Sequence, residues 1–183
     1  GCDCLVHLTA RRSTRSDDPN DIKVFIDETT KLLEPLLYSA RLNCLKKVIS
    51  ISSIAVYSSK NESPYKESMF PQPLNSYGLS KIVQEQMINL WSSKHSIPAI
   101  HLRLSACYGI GEKKSPVLMK FISQAYKKEQ LKVLGNGMFQ IDQIYVADAI
   151  DAIINSINTE VSGAFNIGGG LSYSVCELAE IVN

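Results

Sequence analysis

Tyr77 and Lys81 stand four residues apart in the run Ser76-Tyr-Gly-Leu-Ser-Lys81, a spacing that puts both side chains on one face of a helix. A free tyrosine titrates near 10 and is a poor base at neutral pH. An ammonium one helical turn away stabilises the phenolate and brings proton transfer closer to a working pH. A serine hydroxyl opposite the pair could hydrogen-bond the same substrate oxygen, and Ser53, closing the run Lys47-Val-Ile-Ser-Ile-Ser-Ser53, is the candidate. The pair alone is a weak signal. Eight tyrosines and fourteen lysines in 183 residues make about 0.6 such pairs expected by chance, and a lysine stem lying along a surface tyrosine explains one equally well. Order strengthens it: a strand ending in Ser52-Ser53, then Val56-Tyr57, a loop holding Pro64, Pro71 and Pro73, and only then the Tyr–Lys helix.

The elements that must position these residues follow from periodicity. Cys4 to Leu8 is a short apolar run suited to a buried strand, and apolar residues recur at helical spacing from Ile22 to Asn43. Pro35 inside that pattern predicts a kink or restart. Strands are predicted at 47–52, 99–104, 131–134 and 164–167, with an extended stretch at 140–146. Helices are predicted at 77–92, 116–128 and 146–157, and Ser174-Val-Cys-Glu177 reads as a capping box opening a last one. Strands alternating with helices point to the α/β class, a Rossmann-like doubly wound parallel sheet. The chain opens on a buried-type strand and stops within its last helix, so both ends read as cuts through a larger domain and the sheet as incomplete.

Composition narrows the class. Apolar residues make up 45% and charged residues 20%, the balance of a globular protein. A net charge of +1 supplies no reason to expect nucleic acid or an acidic membrane surface. Arg11, Arg12 and Arg15 are balanced by Asp17, Asp18 and Asp21. No run approaches the roughly 20 apolar residues of a membrane span, and the first ten residues do not form a signal peptide. Cys2, Cys4, Cys44, Cys107 and Cys176 are odd in number, scattered and without zinc spacing, so the expectation is reduced thiols, a cytoplasmic location and no metal. His7 reads as a satisfied core residue and Trp91 as core, while His95 and His101 have no partner pattern.

In order along nearly the whole chain, the sequence resembles the NAD-dependent epimerase/dehydratase branch of the extended short-chain dehydrogenase/reductases. Asp3-Cys-Leu-Val-His-Leu-Thr-Ala10 is similar to that family's D-x-V-x-H-L-A-A strand, and Ile51-Ser-Ser-Ile-Ala-Val-Tyr57 to its S-S-x-x-V-Y-G segment. Ser76 to Lys81 matches the Tyr–Lys motif, with Glu85 where an acid is common. Leu102-Arg-Leu-Ser-Ala-Cys-Tyr-Gly109, Asp142-Gln-Ile-Tyr-Val-Ala-Asp148 and Phe165-Asn-Ile-Gly168 are similar to L-R-x-x-N-V-Y-G, R-D-F-I-Y-V-D-D and Y-N-V-G.

The resemblance implies an NAD- or NADP-dependent nucleotide-sugar epimerase or keto-sugar reductase, with hydride transfer at a sugar carbon. Ser53, Tyr77 and Lys81 would be catalytic. Leu8, Thr9, Ala10, Ser52, Tyr77, Lys81, Leu104 and Cys107 would line the cofactor, and Ser53, Ala106 and Ile141 the substrate. Residues 1–110 would be the later part of the cofactor-binding domain. Residues 111–183 would mix substrate-side segments with the last Rossmann strand and helix, as part of a small C-terminal substrate domain. Helices 22–43 and 79–92 would build a homodimer interface.

Departures from the pattern matter as much. No G-x-x-G-x-x-G phosphate loop occurs in these 183 residues, so the rest of the cofactor's grip is expected outside them. Ala106 replaces a usual Asn, and Ile141 a usual Arg whose paired N–H groups clamp a diphosphate; Lys113 and Lys114 are candidates to compensate. Ile54 and Ala55 stand where 4,6-dehydratases carry Asp-Glu, and two apolar residues cannot eliminate water. The missing Asn and Arg leave a second reading open, a non-catalytic relative serving as an interaction or regulatory module.

Overall fold

The computed structural model describes residues 2–11, 19–42, 45–58, 61, 63–111 and 117–183. Arg12, Arg15, Asp17, Asp18, Cys44, Lys113 and Lys114 lie outside them. The chain divides into two compact units, Gly1–Leu104 with Ala152–Asn166, and Ser105–Asp151 with Ile167–Asn183.

In the first unit β1 (Cys4–His7), β2 (Lys47–Ser53), β3 (Ala99–Leu104) and β6 (Gly163–Ile167) form one sheet in the order β1-β2-β3-β6. β1 pairs parallel with β2, and β2 with β3, so that Ser50 lies between His7 and His101 and Ser53 beside Leu104. β2 is apolar or small along nearly its whole length and almost entirely buried, the character of a strand covered on both faces. Helices α1 (Pro19–Leu42) and α2 (Ser76–His95) pack on one face. Leu33, Leu37 and Ala40 of α1 close a core with Ile88 of α2, Val48 and Ala99 of the sheet, and Leu45. Helix α1 does not restart at Pro35 but continues through it, and Leu33 and Leu37 are buried on either side of the proline. Trp91 belongs to the rim of this core, half-buried.

A lysine fastens the end of α4 (Val146–Ile157) to the sheet. Lys47 is buried, and its ammonium donates to the carbonyls of Ser156 (3.1 Å), Ile157 (3.1 Å) and Thr159. A cation there satisfies carbonyls that the helix leaves unpaired. Lys47→Met keeps the stem and removes the charge, and it should cost about 1–3 kcal/mol. At about 2–4 °C per kcal/mol the change is readable as a lowered Tm, and an unaltered Tm would remove this role.

The second unit carries β4 (Ala106–Tyr108), β5 (Gln140–Tyr145) and β7 (Ser172–Ser174), with β4 parallel and β7 antiparallel to β5. The motif segment Leu102–Gly109 is split between β3 and β4, with Ser105 between them. Helices α3 (Val117–Tyr126) and α5 (Val175–Val182) pack together. The expected capping box is present: Glu177 N–H donates to Ser174 Oγ (3.1 Å) and Ser174 N–H to Glu177 Oε2 (2.6 Å). The strand expected at 131–134 does not form. Its alternation finds no neighbouring edge to pair with, and Leu134 is 81% exposed. Among the described residues no helix is long and apolar enough to cross a membrane.

Candidate active site

The site assembles where the parallel strands of the first unit end. β2 stops at Ser53, whose Oγ accepts the Ala55 N–H at 3.1 Å and so caps a short 3-10 turn, Ile54–Val56. Asn75 caps α2 in the same way, its Oδ1 accepting the Gly78 N–H at 2.8 Å. Gly78 is what lets the two ends meet: a Cβ there would lie 2.1 Å from the Ala55 carbonyl oxygen, so only glycine allows the first turn of α2 to press on the turn after Ser53. Tyr77, its neighbour, is thereby brought near the Ser53 hydroxyl. Burial pushes the phenol above its ordinary value, and the Ser53 hydroxyl pulls against that shift. The edge of the Phe25 ring from α1 packs on Tyr77, centroids 6.5 Å apart.

Lys81 follows one turn later and is 2% exposed. Its Nζ lies 5.9 Å from the centre of the Tyr77 ring and donates to Ile51 O (2.6 Å) and Gln84 Oε1 (3.2 Å). Burial lowers its pKa to about 8, with the nearby Glu85 charge opposing. Thus Ser53, Tyr77 and Lys81, expected together, are together.

Behind them lies a buried ion pair. Arg103 of β3 meets Glu85 of α2 with two bonds, Nε to Oε1 at 3.0 Å and Nη2 to Oε2 at 2.7 Å. Ser52 Oγ donates to Glu85 Oε1 at 2.5 Å, and Arg103 Nη1 to Tyr57 Oη at 2.7 Å. Tyr57 in turn donates to Asn166 Oδ1 at 3.0 Å, and Asn166 Nδ2 to Tyr65 O at 3.0 Å. The Ser52 hydroxyl is therefore committed to Glu85. Burial raises the Glu85 carboxyl, but bonds from Arg103 and Ser52 outweigh it and hold the group below its ordinary value. Of these partners the sequence flagged Ser52 as a site residue and Glu85 as the acid following the Tyr–Lys motif; a charged Arg103 inside the apolar run 99–104 was the visible sign of the rest.

The other expected residues divide between the units. Leu8, Thr9 and Ala10 are exposed just past the end of β1, and Leu104, half-buried, ends β3. Ala106 (exposed) and Cys107 (half-buried) lie on β4, and Ile141 (half-buried) on β5, in the second unit. His7 is buried as expected but is not fully satisfied, since its Nδ1 has no hydrogen-bond partner. Its tendency to take up a proton is lowered by burial and by the Lys81 charge. His101 pairs through Nε2 with Asn89 at 2.8 Å. Among the described residues no cluster of His, Cys, Asp or Glu could hold a metal ion.

The family model described as NAD dependent epimerase/dehydratase family matches residues 1–168. The chain belongs to that family. The family is NAD-dependent, and its fold is Rossmann-like. A putative UDP-glucose 4-epimerase of Methanocaldococcus jannaschii is 30% identical over 97% of this chain and 59% of its own length. The crystal structure of UDP-N-acetylglucosamine 4-epimerase from Bacillus cereus superposes with a TM-score of 0.89 at 31% identity, over 99% of this chain and 61% of that one. A UDP-N-acetylglucosamine 4-epimerase from Methanobrevibacter ruminantium, in complex with UDP-N-acetylmuramic acid, gives 0.83 at 28% identity, over 98% and 59%. This chain thus spans about three fifths of the length of each of these epimerase/dehydratase relatives.

Proposed function

We propose that this chain carries the catalytic half of an NAD-dependent nucleotide-sugar 4-epimerase or keto-sugar reductase. The observation that supports it best is the Lys81 ammonium 5.9 Å from the centre of the Tyr77 ring, with the turn after Ser53 pressed against Gly78 beside it. Tyr77 takes the proton of a sugar hydroxyl as that carbon is oxidised, and returns it when the carbon is reduced. Ser53 hydrogen-bonds the same oxygen and orients it. Lys81 stabilises the phenolate through its charge.

The residues present fit the nicotinamide-ribose end of the cofactor. An ammonium has three N–H donors, and Lys81 uses two on the described residues, leaving one for a ribose hydroxyl. Leu8, Thr9 and Ala10 stand exposed at the end of β1, at the strand ends where open α/β sheets bind ligands. When bound, NAD supplies the acceptance and return of the hydride. Dehydration is disfavoured, because Ile54 and Ala55 in the turn beside Ser53 offer no acid or base.

The test is turnover by the gene product carrying these residues, supplied with NAD and UDP-glucose or UDP-N-acetylglucosamine. The 4-epimer forming without net nicotinamide consumption identifies an epimerase, and stoichiometric NADH or NADPH consumption on a keto sugar identifies a reductase. Absence of both supports the non-catalytic module, which the apolar Ile141 and the exposed Ala106 favour.

We also infer a homodimer through α1 and α2. Tyr38 (63% exposed) and Leu90 (73% exposed) line an apolar groove on these helices with Leu37, Met87 and Trp91, a surface that a second copy would cover. Leu90→Asp should halve the mass seen by sedimentation; a wild-type monomer removes the inference.

A further inference from the structure

Gln84 has no place in the chemistry above, yet it is a buried carboxamide in direct contact with Lys81. It follows Lys81 by three residues on α2, one turn on, and faces β2. Its Nε2 donates to Ser50 Oγ at 2.6 Å and to Ile51 O at 3.0 Å. Its Oε1 accepts from Lys81 Nζ at 3.2 Å. With both amide protons drawn to oxygen atoms of β2, the carboxamide has one orientation, oxygen toward the ammonium; the reverse would set an NH2 group against a cation.

Lys81 depends on that oxygen. No carboxylate among the described residues lies within ion-pair distance of its ammonium; Glu85, on the same helix, is held by Arg103 and Ser52. The charged and titratable groups facing this space are Tyr77 and Glu85 from α2, His7 from β1, and His101 and Arg103 from β3. β2 contributes hydroxyls and carbonyls only, from Ser50, Ile51 and Ser52. A buried ammonium stays charged only if neutral acceptors replace the water it has lost, and here these are Ile51 O and Gln84 Oε1. The Ile51 carbonyl also accepts from Gln84, so the two acceptors and the ammonium form one closed unit.

We propose that Gln84 is a positioning residue for Lys81: its carboxamide, anchored on Ser50 and Ile51, fixes the ammonium beside Tyr77 and keeps it protonated. The inference rests on the catalytic reading of Tyr77 and Lys81 and names what tunes that pair. Position 84 would then set the pH range in which the tyrosine has a cation to work against.

The test needs neither substrate nor cofactor. The lysine Hε and Cε resonances of the labelled chain are followed against pH, with Lys81 assigned by its loss in Lys81→Met, together with the Tyr77 ring signals. Gln84→Glu sets a carboxylate on the ammonium and should raise the Lys81 midpoint by about one pH unit or more. Gln84→Met removes the acceptor at similar volume and should lower the midpoint by about half a unit or more, with the Tyr77 midpoint rising as its cation is lost. A Lys81 midpoint within about 0.3 units of wild type in Gln84→Glu would overturn the proposal, whether or not Gln84→Met folds. The two readings separate cleanly. Missing sugar turnover leaves these titrations standing, and an unmoved Lys81 leaves the role of Tyr77 untouched.

Discussion

Tyr77→Phe is expected to lower NAD-dependent sugar turnover by about 10²–10⁴-fold, the usual contribution of a positioned acid/base, with KM little changed. The substitution removes one oxygen. The ring that packs against Phe25 is kept, so the helix start and Gly78's contact with the turn after Ser53 have no reason to move. The hydroxyl lost is the one burial holds above its ordinary value, and in the proposed mechanism the Lys81 charge is what would make it a base. Ser53→Ala should cost less, since it removes one oriented hydrogen bond and leaves the proton carrier in place. The measurement is kcat and KM for both variants beside a thermal melt. Equal turnover in wild type and Tyr77→Phe, with both folded, would eliminate Tyr77 as the acid/base.

How far the site could be read in advance depended on how local its causes are. Tyr77 and Lys81 are four residues apart on one helix, so spacing alone places them on one face. Ser53 needed the order of segments, because its approach to Tyr77 comes from a close contact at Gly78, and no spacing rule announces a contact between residues 55 and 78. Gln84 looked like any polar helix residue. Its meaning comes from Ser50 and Ile51, more than thirty positions away, turning acceptors toward it. Arg103 was visible as a charge in an apolar strand, but Tyr57 and Asn166 emerge as partners only when β3, α2, the turn after β2 and β6 come together. The failures have the same root. Residues 131–134 alternate like a strand yet have no edge to pair with. Pro35 carries a breaker's local chemistry, yet the helix continues through it with Leu33 and Leu37 buried on either side.

Breaking the Arg103–Glu85 pair should have the largest effect on stability. Their side chains are 7% and 3% exposed, and two bonds join them. Glu85→Gln preserves shape but leaves a guanidinium buried against a neutral amide. Arg103→Met leaves a carboxylate with Ser52 as its remaining hydrogen-bond partner among the described residues. Stranding one member of a buried pair costs about 3–5 kcal/mol, and at about 2–4 °C per kcal/mol the Tm of either variant should fall by roughly 6–20 °C. Glu85→Leu with Arg103→Met should recover much of that loss, since removing both charges also removes both desolvation costs, and a double-mutant cycle reads the coupling directly.

The pH dependence has a definite sign. The folded Glu85 pKa lies below its ordinary value near 4.5, so around that pH the unfolded chain binds more protons. The stabilisation is complete above about 4.5 and is lost as pH falls through the lower folded value. Wild type should therefore weaken on that acid limb more than the double variant, which lacks Glu85 but keeps carboxylates such as Glu177. Single substitutions costing under about 1 kcal/mol would mean that the pair behaves as a solvated one. Because Ser52 hangs from the same carboxylate, the singles should also loosen Ser53 and lower turnover beyond what the melt explains, whereas the double variant, stable but without Glu85 to hold Ser52, separates the stability of the sheet from the orientation of the serine proposed to be catalytic.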